Sequence, residues 1–221
     1  MRWSLKGRVF VRKFPVVLAG VALLACAICF WPGGAAVKAV SVRSAAAPAY
    51  DKDGNLLPIA DYRQWIYLSS GLDMSYTSKS DMPGHSMFDN VFVNPEAYRS
   101  FLRTGTWPDK TVMVLEVRGA EYKGSINQLG KFQTGDIMGF EVHVKDASRF
   151  PGKWAFFDFD SSTTAGTLIP PGAPCYTCHR AHAAVDTTFV QFYPTLLPIA
   201  QMKGTLSASF LKETASPGAG K

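Results

Sequence analysis

Two cysteines and a histidine, Cys175, Cys178 and His179, form a C-x-x-C-H pattern. Two thiols three positions apart can reach the two vinyl groups on one edge of a haem, and the next residue can place its imidazole beneath the iron. The pattern therefore predicts one c-type haem, covalently attached through Cys175 and Cys178. Because histidine suits both ferrous and ferric iron, His179 is the predicted proximal ligand.

Two other chemistries use closely spaced cysteines. Zinc could take Cys175, Cys178 and either His179 or His182, although one such knuckle rarely closes a tetrahedral site. A thioredoxin-like redox pair normally follows a strand in a βαβ unit, which the sequence does not predict. Haem is the favoured interpretation, with zinc and a redox disulfide as the alternatives.

The second axial position of the iron has several candidate ligands. They are the remaining histidines and the methionines outside the N-terminal and C-terminal segments: His85, His143, His182, Met74, Met82, Met87, Met113 and Met138. His182 lies one helical turn after His179 and is expected to face solvent. If none of them ligates the iron, the haem keeps an open coordination site for a small molecule.

The formal net charge of +6 on the 221-residue chain comes from its N-terminus. Residues 1–39 hold six of the 23 basic residues and no acidic residue, and the other 17 basic residues balance 17 acidic ones. The chain therefore offers no basic surface for nucleic acid. A basic stretch before the apolar run 14–31 is typical of a signal peptide or an N-terminal membrane anchor.

This N-terminal segment predicts the location of the mature protein. The folded part is expected in the periplasm, touching the membrane only through an uncleaved segment at residues 14–31. Cys26 and Cys29 lie in that apolar run, so the mature domain keeps only the two cysteines of the motif. A tether is predicted at residues 40–49, a haem domain at 50–205 and a flexible tail at 206–221.

Short runs rich in β-branched and aromatic residues recur along the mature chain. They cover residues 65–68, 91–93, 111–117, 137–144 and 154–159. Short strands separated by turn residues are typical of an antiparallel sheet. The predicted fold class is therefore mainly β, of the α+β type, with an antiparallel sheet packed on the c-type haem and a few short helices.

Local signals predict the segments between these strands. Asn94 and Pro95 indicate the start of a helix, and Gly105 indicates its end. A second short helix is predicted from the cysteine motif through Val190. Residues 71–85 are rich in Ser, Gly, Asp and Met and are predicted to form a long loop, a kind of segment that is often functional.

Several colinear blocks resemble the cytochrome P-460 and cytochrome c'-beta family over about residues 50–200. The matching blocks are residues 61–65, 88–98, 104–111, 139–146, 149–156, 175–179 and 189–194. The resemblance implies an antiparallel sheet packed against the haem and usually a homodimer. It also implies a five-coordinate haem with His179 as the proximal ligand.

The resemblance implies two alternative chemistries. Members called P-460 oxidise hydroxylamine through a haem cross-linked to a lysine, whereas c'-beta members lack the cross-link and bind nitric oxide or carbon monoxide. Leu115 occupies the position of that lysine and has no nucleophilic nitrogen, and Lys110 and Lys123 are out of register. We therefore expect a cytochrome that binds nitric oxide or a similar ligand, or passes electrons to a redox partner protein. The alternative is a P-460-like enzyme that oxidises hydroxylamine or another nitrogen oxide.

The family's active members also carry a distal carboxylate that relays protons, and Glu141 stands at its position. Alternate residues of a strand share a face, so Glu141 and His143 should point the same way. Burial over a haem would raise the pKa of this carboxyl and suit it to proton transfer. Leu115, Met113 and Phe88 complete the predicted distal pocket. The alternative for Glu141 is a solvent-facing or purely structural role.

Overall fold

A six-stranded antiparallel sheet, in which each strand pairs with the next along the chain, dominates the computed structural model. The structure describes residues 47–75 and 86–215. The strands are β1 (Ile66–Leu72), β2 (Met87–Val93), β3 (Val112–Glu121), β4 (Phe132–Lys145), β5 (Trp154–Phe159) and β6 (Thr167–Leu168). The helices are α1 (Pro95–Thr104), α2 (Pro174–His182), α3 (Leu197–Lys203) and α4 (Ala208–Ala215), with 3-10 turns at Tyr62–Gln64 and Val190–Phe192. The predicted mainly β, α+β fold is confirmed.

Helix α1 begins and ends where the sequence predicts. Gly105 ends it in the left-handed conformation at φ 74°, which glycine adopts without steric cost. Asn94 precedes Pro95, but its side chain does not cap the helix. The Asn94 amide oxygen instead accepts a hydrogen bond of 2.9 Å from the backbone N–H of Val112. The start of α1 is thereby fixed to strand β3.

One face of the sheet covers a core that contains a buried charge. Val114, Val142 and Phe157 lie on this face with Tyr62 packed on them. Glu116 shares the face and is only 1% exposed. The Tyr62 hydroxyl and Arg118 Nε donate hydrogen bonds to this carboxylate and make its burial tolerable, since an unpaired buried charge is very costly.

The opposite face of the sheet carries the second core and the candidate site. Val93, Met113 and Trp154 contribute to it from the strands, because successive residues of a strand alternate between faces. Helices α1 and α3 cover part of this face with Phe101 and Ala200, and the chain between α2 and α3 covers more of it. The remainder of the face stays open as a cavity.

Several local predictions differ from the structure. Strand β1 continues to Leu72, so the predicted loop 71–85 starts later. Helix α2 ends at His182 instead of continuing to Val190, because the chain turns extended at Ala183. Residues 208–215 form α4 where a flexible tail was predicted, and the Ser207 hydroxyl donates a 2.6 Å hydrogen bond to the Ala183 carbonyl just before it.

The N-terminal predictions fall outside the described residues. They concern the signal or anchor at residues 1–39 and the first part of the tether, and the candidate ligands Met82 and His85 lie outside as well. Within residues 47–75 and 86–215, no helix combines the length and the apolarity needed to cross a membrane.

Candidate functional site

Helix α2 carries the three residues of the C-x-x-C-H pattern. Pro174 occupies its first turn, where a proline lacking the N–H is tolerated. Cys175 lies three and four residues before Cys178 and His179, a spacing that places the three side chains on one side of a helix. Both cysteines are half-buried free thiols. The disulfide bond that the redox alternative requires is therefore not formed between them in this structure.

The zinc alternative lacks a suitable ligand set in this structure. His182, one of its candidate ligands, directs Nδ1 to the Glu213 carboxylate at 2.9 Å and is half exposed. Across the described part of the chain, no group of three or more His, Cys, Asp or Glu side chains is arranged to hold a metal ion. The expectation that His182 faces solvent agrees with this position.

The imidazole of His179 is held in the orientation that a metal ligand needs. Its Nδ1 lies 2.8 Å from the Thr187 carbonyl oxygen, so Nδ1 carries the proton and Nε2 is left as the donor atom. The ring packs against Phe189 at 4.2 Å and Phe156 at 4.6 Å between centroids. Burial lowers the pKa of His179, and the hydrogen bond to the Thr187 carbonyl opposes this effect. The lowered pKa favours the neutral form of the ring.

The loop that provides the Thr187 carbonyl is itself fixed by two residues distant in sequence. Trp107 donates from Nε1 to the Thr188 hydroxyl at 2.8 Å. Lys145 donates to the Trp107 carbonyl at 2.6 Å and pairs with Asp186 at 2.9 Å. Sequence reasoning missed these positioning residues, because nothing in their types or spacing indicates that they meet at one loop.

His179 opens onto a cavity of about 300 Å³ between the sheet and the segment that follows α2. The sheet wall is mostly apolar, with Leu115 paired to Val91 on one side and to Glu141 on the other. Further lining residues are Ser69, Gly71, Met74, Asp89, Met113, Val117, His143, Phe156, Thr188, Phe189, Phe192 and Tyr193.

Four of the five predicted distal residues line this cavity: Leu115, Glu141, Met113 and His143. Phe88 does not, and its prediction was wrong. It precedes Asp89 in strand β2, and adjacent strand residues point to opposite faces. Asp89, which the sequence analysis missed, takes the place expected for Phe88.

His143 belongs to the wall beside His179 and does not stand across the cavity from it. Its ring stacks on Phe156 at 3.9 Å with planes 10° apart, and its centroid lies 5.3 Å from that of His179. Its Nε2 is 3.4 Å from the Thr187 hydroxyl. Burial places the pKa of His143 well below its usual value. Of the methionine candidates in the described residues, Met74 and Met113 line the cavity, and Met87 and Met138 do not.

Two carboxylates give the cavity its charge. Desolvation raises the pKa of Glu141, and the nearby charges of Asp158 and Asp89 raise it further. Desolvation also raises the pKa of Asp89, with a smaller contribution from Asp73. Glu141 nevertheless reaches solvent through the open cavity. Such a group can exchange protons between the cavity and bulk water.

The residues present fit a haem. Two free thiols and a neutral imidazole share one side of α2, and the Thr187 carbonyl orients the imidazole. The adjoining cavity has a largely apolar wall centred on Leu115. A flat apolar ring with one axial nitrogen ligand needs this combination of groups.

Comparison with protein families identifies a relationship for this chain. The family model described as Cytochrome P460 matches residues 59–190, more than half of the 221-residue chain. No curated protein matches the chain.

Proposed function

The chain belongs to the cytochrome P460 family of haem-binding proteins, and from this premise we propose that it is an exported c-type cytochrome with one haem. Cys175 and Cys178 attach the haem covalently, and His179 is its proximal ligand. The distal side is open, and the protein binds nitric oxide or a similar small ligand, passes electrons to a redox partner protein, or does both. When bound, the haem supplies an iron centre that takes a ligand and changes oxidation state.

The observation that carries this proposal is the position of Leu115 in the cavity wall. Its isobutyl side chain lies between Val91 and Glu141, where a cross-linking lysine would stand. The two lysines nearest in sequence are engaged elsewhere: Lys110 pairs with Asp146, and the Lys123 ammonium lies 5.4 Å from the Tyr122 ring. Leu115 offers no nucleophile, which favours ligand binding over P-460-type catalysis.

Absorption spectra of the purified holoprotein, ferric and ferrous, test this function. We expect a high-spin five-coordinate haem in the ferrous state and a clear shift when nitric oxide is added. A red-shifted ferrous band would indicate that a nucleophile has modified the haem and would favour the enzyme. A low-spin six-coordinate spectrum in both oxidation states would contradict the open site and point to a ligand such as Met74 or Met113.

The alternative is an oxidoreductase that acts on hydroxylamine or another nitrogen oxide. Glu141 favours it, because its carboxyl lines the cavity and burial raises its pKa. In that case we expect the Glu141→Gln variant to lose about a hundredfold to ten-thousandfold in turnover, the usual contribution of a general acid or base. Asp136→Asn, which alters an exposed carboxylate of the same strand outside the cavity lining, is the control. Absence of hydroxylamine turnover in the parent protein would eliminate this alternative.

A homodimer is proposed through the tip of the β3–β4 hairpin. Ile126 and Leu129 are 90% and 94% exposed there. Exposing these apolar side chains to water is unfavourable, and burial against a second copy of the chain would remove that cost. We expect light scattering to give a dimer mass for the parent and a monomer mass for Ile126→Asp/Leu129→Asp. Lys131→Ala, in the same hairpin, should stay dimeric. A monomeric parent protein would refute the dimer.

Export rests on the basic and apolar N-terminal segment of residues 1–39. The mass of the protein recovered from the periplasm should correspond to loss of this segment, or to its retention with membrane attachment. Recovery of holoprotein only from the cytoplasm would contradict export.

A further inference from the structure

We propose that the cavity selects uncharged ligands over anionic ones, and that Asp89 and Glu141 are the residues that set this selectivity. The proposal rests on the proposed function, because it concerns what can approach an iron held by His179. It assigns a ligand class to the cavity: neutral diatomic gases and other uncharged nitrogen oxides enter, whereas azide and nitrite anions are disfavoured.

The charges around the cavity are all of one sign. Among the described residues that line it, the ionisable side chains are those of Asp89, Glu141, His143, His179 and Tyr193. His179 is assigned to the iron through Nε2, and His143 is buried against Phe156 with its Nε2 3.4 Å from the Thr187 hydroxyl, so neither imidazole is available to pair with an anion. No lysine or arginine is among these lining residues.

The basic residues on the strands that form the wall are directed to other partners. Arg118 on β3 lies on the opposite face and bonds Glu116 through Nε at 2.5 Å. Lys145 on β4 bonds Asp186 and the Trp107 carbonyl. Neither cation therefore offsets the carboxylates that face the cavity.

The two carboxylates lie close enough to affect each other. The charge of Asp89 contributes to the raised pKa of Glu141, after desolvation and Asp158. An anionic ligand entering the same space would lose hydration and meet the same repulsion, which is strong where water is partly excluded. A neutral ligand feels no such charge repulsion and contacts the side chains of Leu115 and Val117.

Ligand titrations of the holoprotein test the proposal. They are carried out at pH 8, well above the ordinary carboxyl pKa of about 4, so that the carboxylates are charged. The ferric protein is titrated with azide and the ferrous protein with carbon monoxide, in the parent and in Asp89→Asn, Glu141→Gln and the double variant. We expect the azide dissociation constant to fall about tenfold in each single variant and about a hundredfold in the double variant. Carbon monoxide affinity should change less than about twofold, since that ligand carries no charge.

Asp136→Asn is the matched control, because it removes one negative charge from an exposed position of β4 outside the lining. Solvent screening should keep its effect on azide affinity below about threefold. Unchanged azide affinity in the double variant, with normal carbon monoxide binding, would overturn the selectivity and leave the proposed function intact. Equal changes for both ligands would also overturn it, since they would indicate a steric effect. A haem that binds neither ligand in any variant would overturn the proposed function, and this inference with it.

Discussion

Replacing both Cys175 and Cys178 with alanine should abolish covalent haem attachment completely. The two thiols are free, half-buried and on the side of α2 that carries His179, so each can form a thioether to one vinyl group. Without them the haem is held only by the His179 nitrogen and the apolar cavity wall. Acidified organic solvent should then extract it, whereas in the parent protein the haem mass stays on the polypeptide in mass spectrometry.

Thr177→Ala is the matched control for this experiment. Thr177 lies between the two cysteines on the same turn of α2 and is exposed, so its replacement should leave attachment intact. Single Cys175→Ala and Cys178→Ala variants should each retain at most one thioether. Haem mass retained on the double variant would contradict the assignment and direct attention to another covalent link.

Local signals account for the parts of the fold that were predicted well. Strand β5 has the predicted bounds because an aromatic run lies between turn residues, and α1 ends at a glycine that adopts the left-handed conformation. Helix α4 was missed, since its position depends on contacts such as the one between Ser207 and the Ala183 carbonyl. Strand β4 begins at Phe132, five residues before the prediction, where exposed polar residues and glycines hide the strand pattern.

The site also has a part that the sequence predicts and a part that depends on the folded chain. The motif alone predicts His179 as the proximal ligand, but the groups that orient its ring come from a loop fixed by Trp107 and Lys145, which only the folded chain brings together. The prediction of Phe88 was wrong by one position along β2, and a shift of one residue in a strand moves the side chain to the opposite face of the sheet. Applied from Val91, the same alternation indicates Asp89, the carboxylate on which the ligand selectivity depends.

Glu116→Ala should lower the free energy of unfolding by about 3–5 kcal/mol, the usual cost of breaking a buried ion pair. The Glu116 carboxylate is 1% exposed and accepts hydrogen bonds from the Tyr62 hydroxyl and from Arg118 Nε at 2.5 Å, with Arg63 as a further partner. Removing it leaves Arg118 with an uncompensated charge only 14% exposed. Denaturant unfolding of the holoprotein measures the change. Glu121→Ala, at the end of the same strand, should stay within about 0.5 kcal/mol of the parent.

The pH dependence of stability separates the charge of Glu116 from its packing. Burial alone would raise its pKa, but the hydrogen bonds from Arg118 and Tyr62 and the positive charges of Arg118 and Arg63 outweigh burial and lower it. A group whose pKa is lower in the folded state stabilises the protein above its unfolded pKa, about 4.3 for glutamate. That contribution is lost as the pH falls from there through the folded pKa. The difference in unfolding free energy between the parent and Glu116→Gln should therefore be constant from pH 7 to pH 5 and shrink below about pH 4. Effects of acid on the haem ligand cancel in this difference, because both proteins keep His179. A difference that stays constant down to pH 3 would show that the carboxylate acts through its shape and hydrogen bonds, without an ionisation linked to folding.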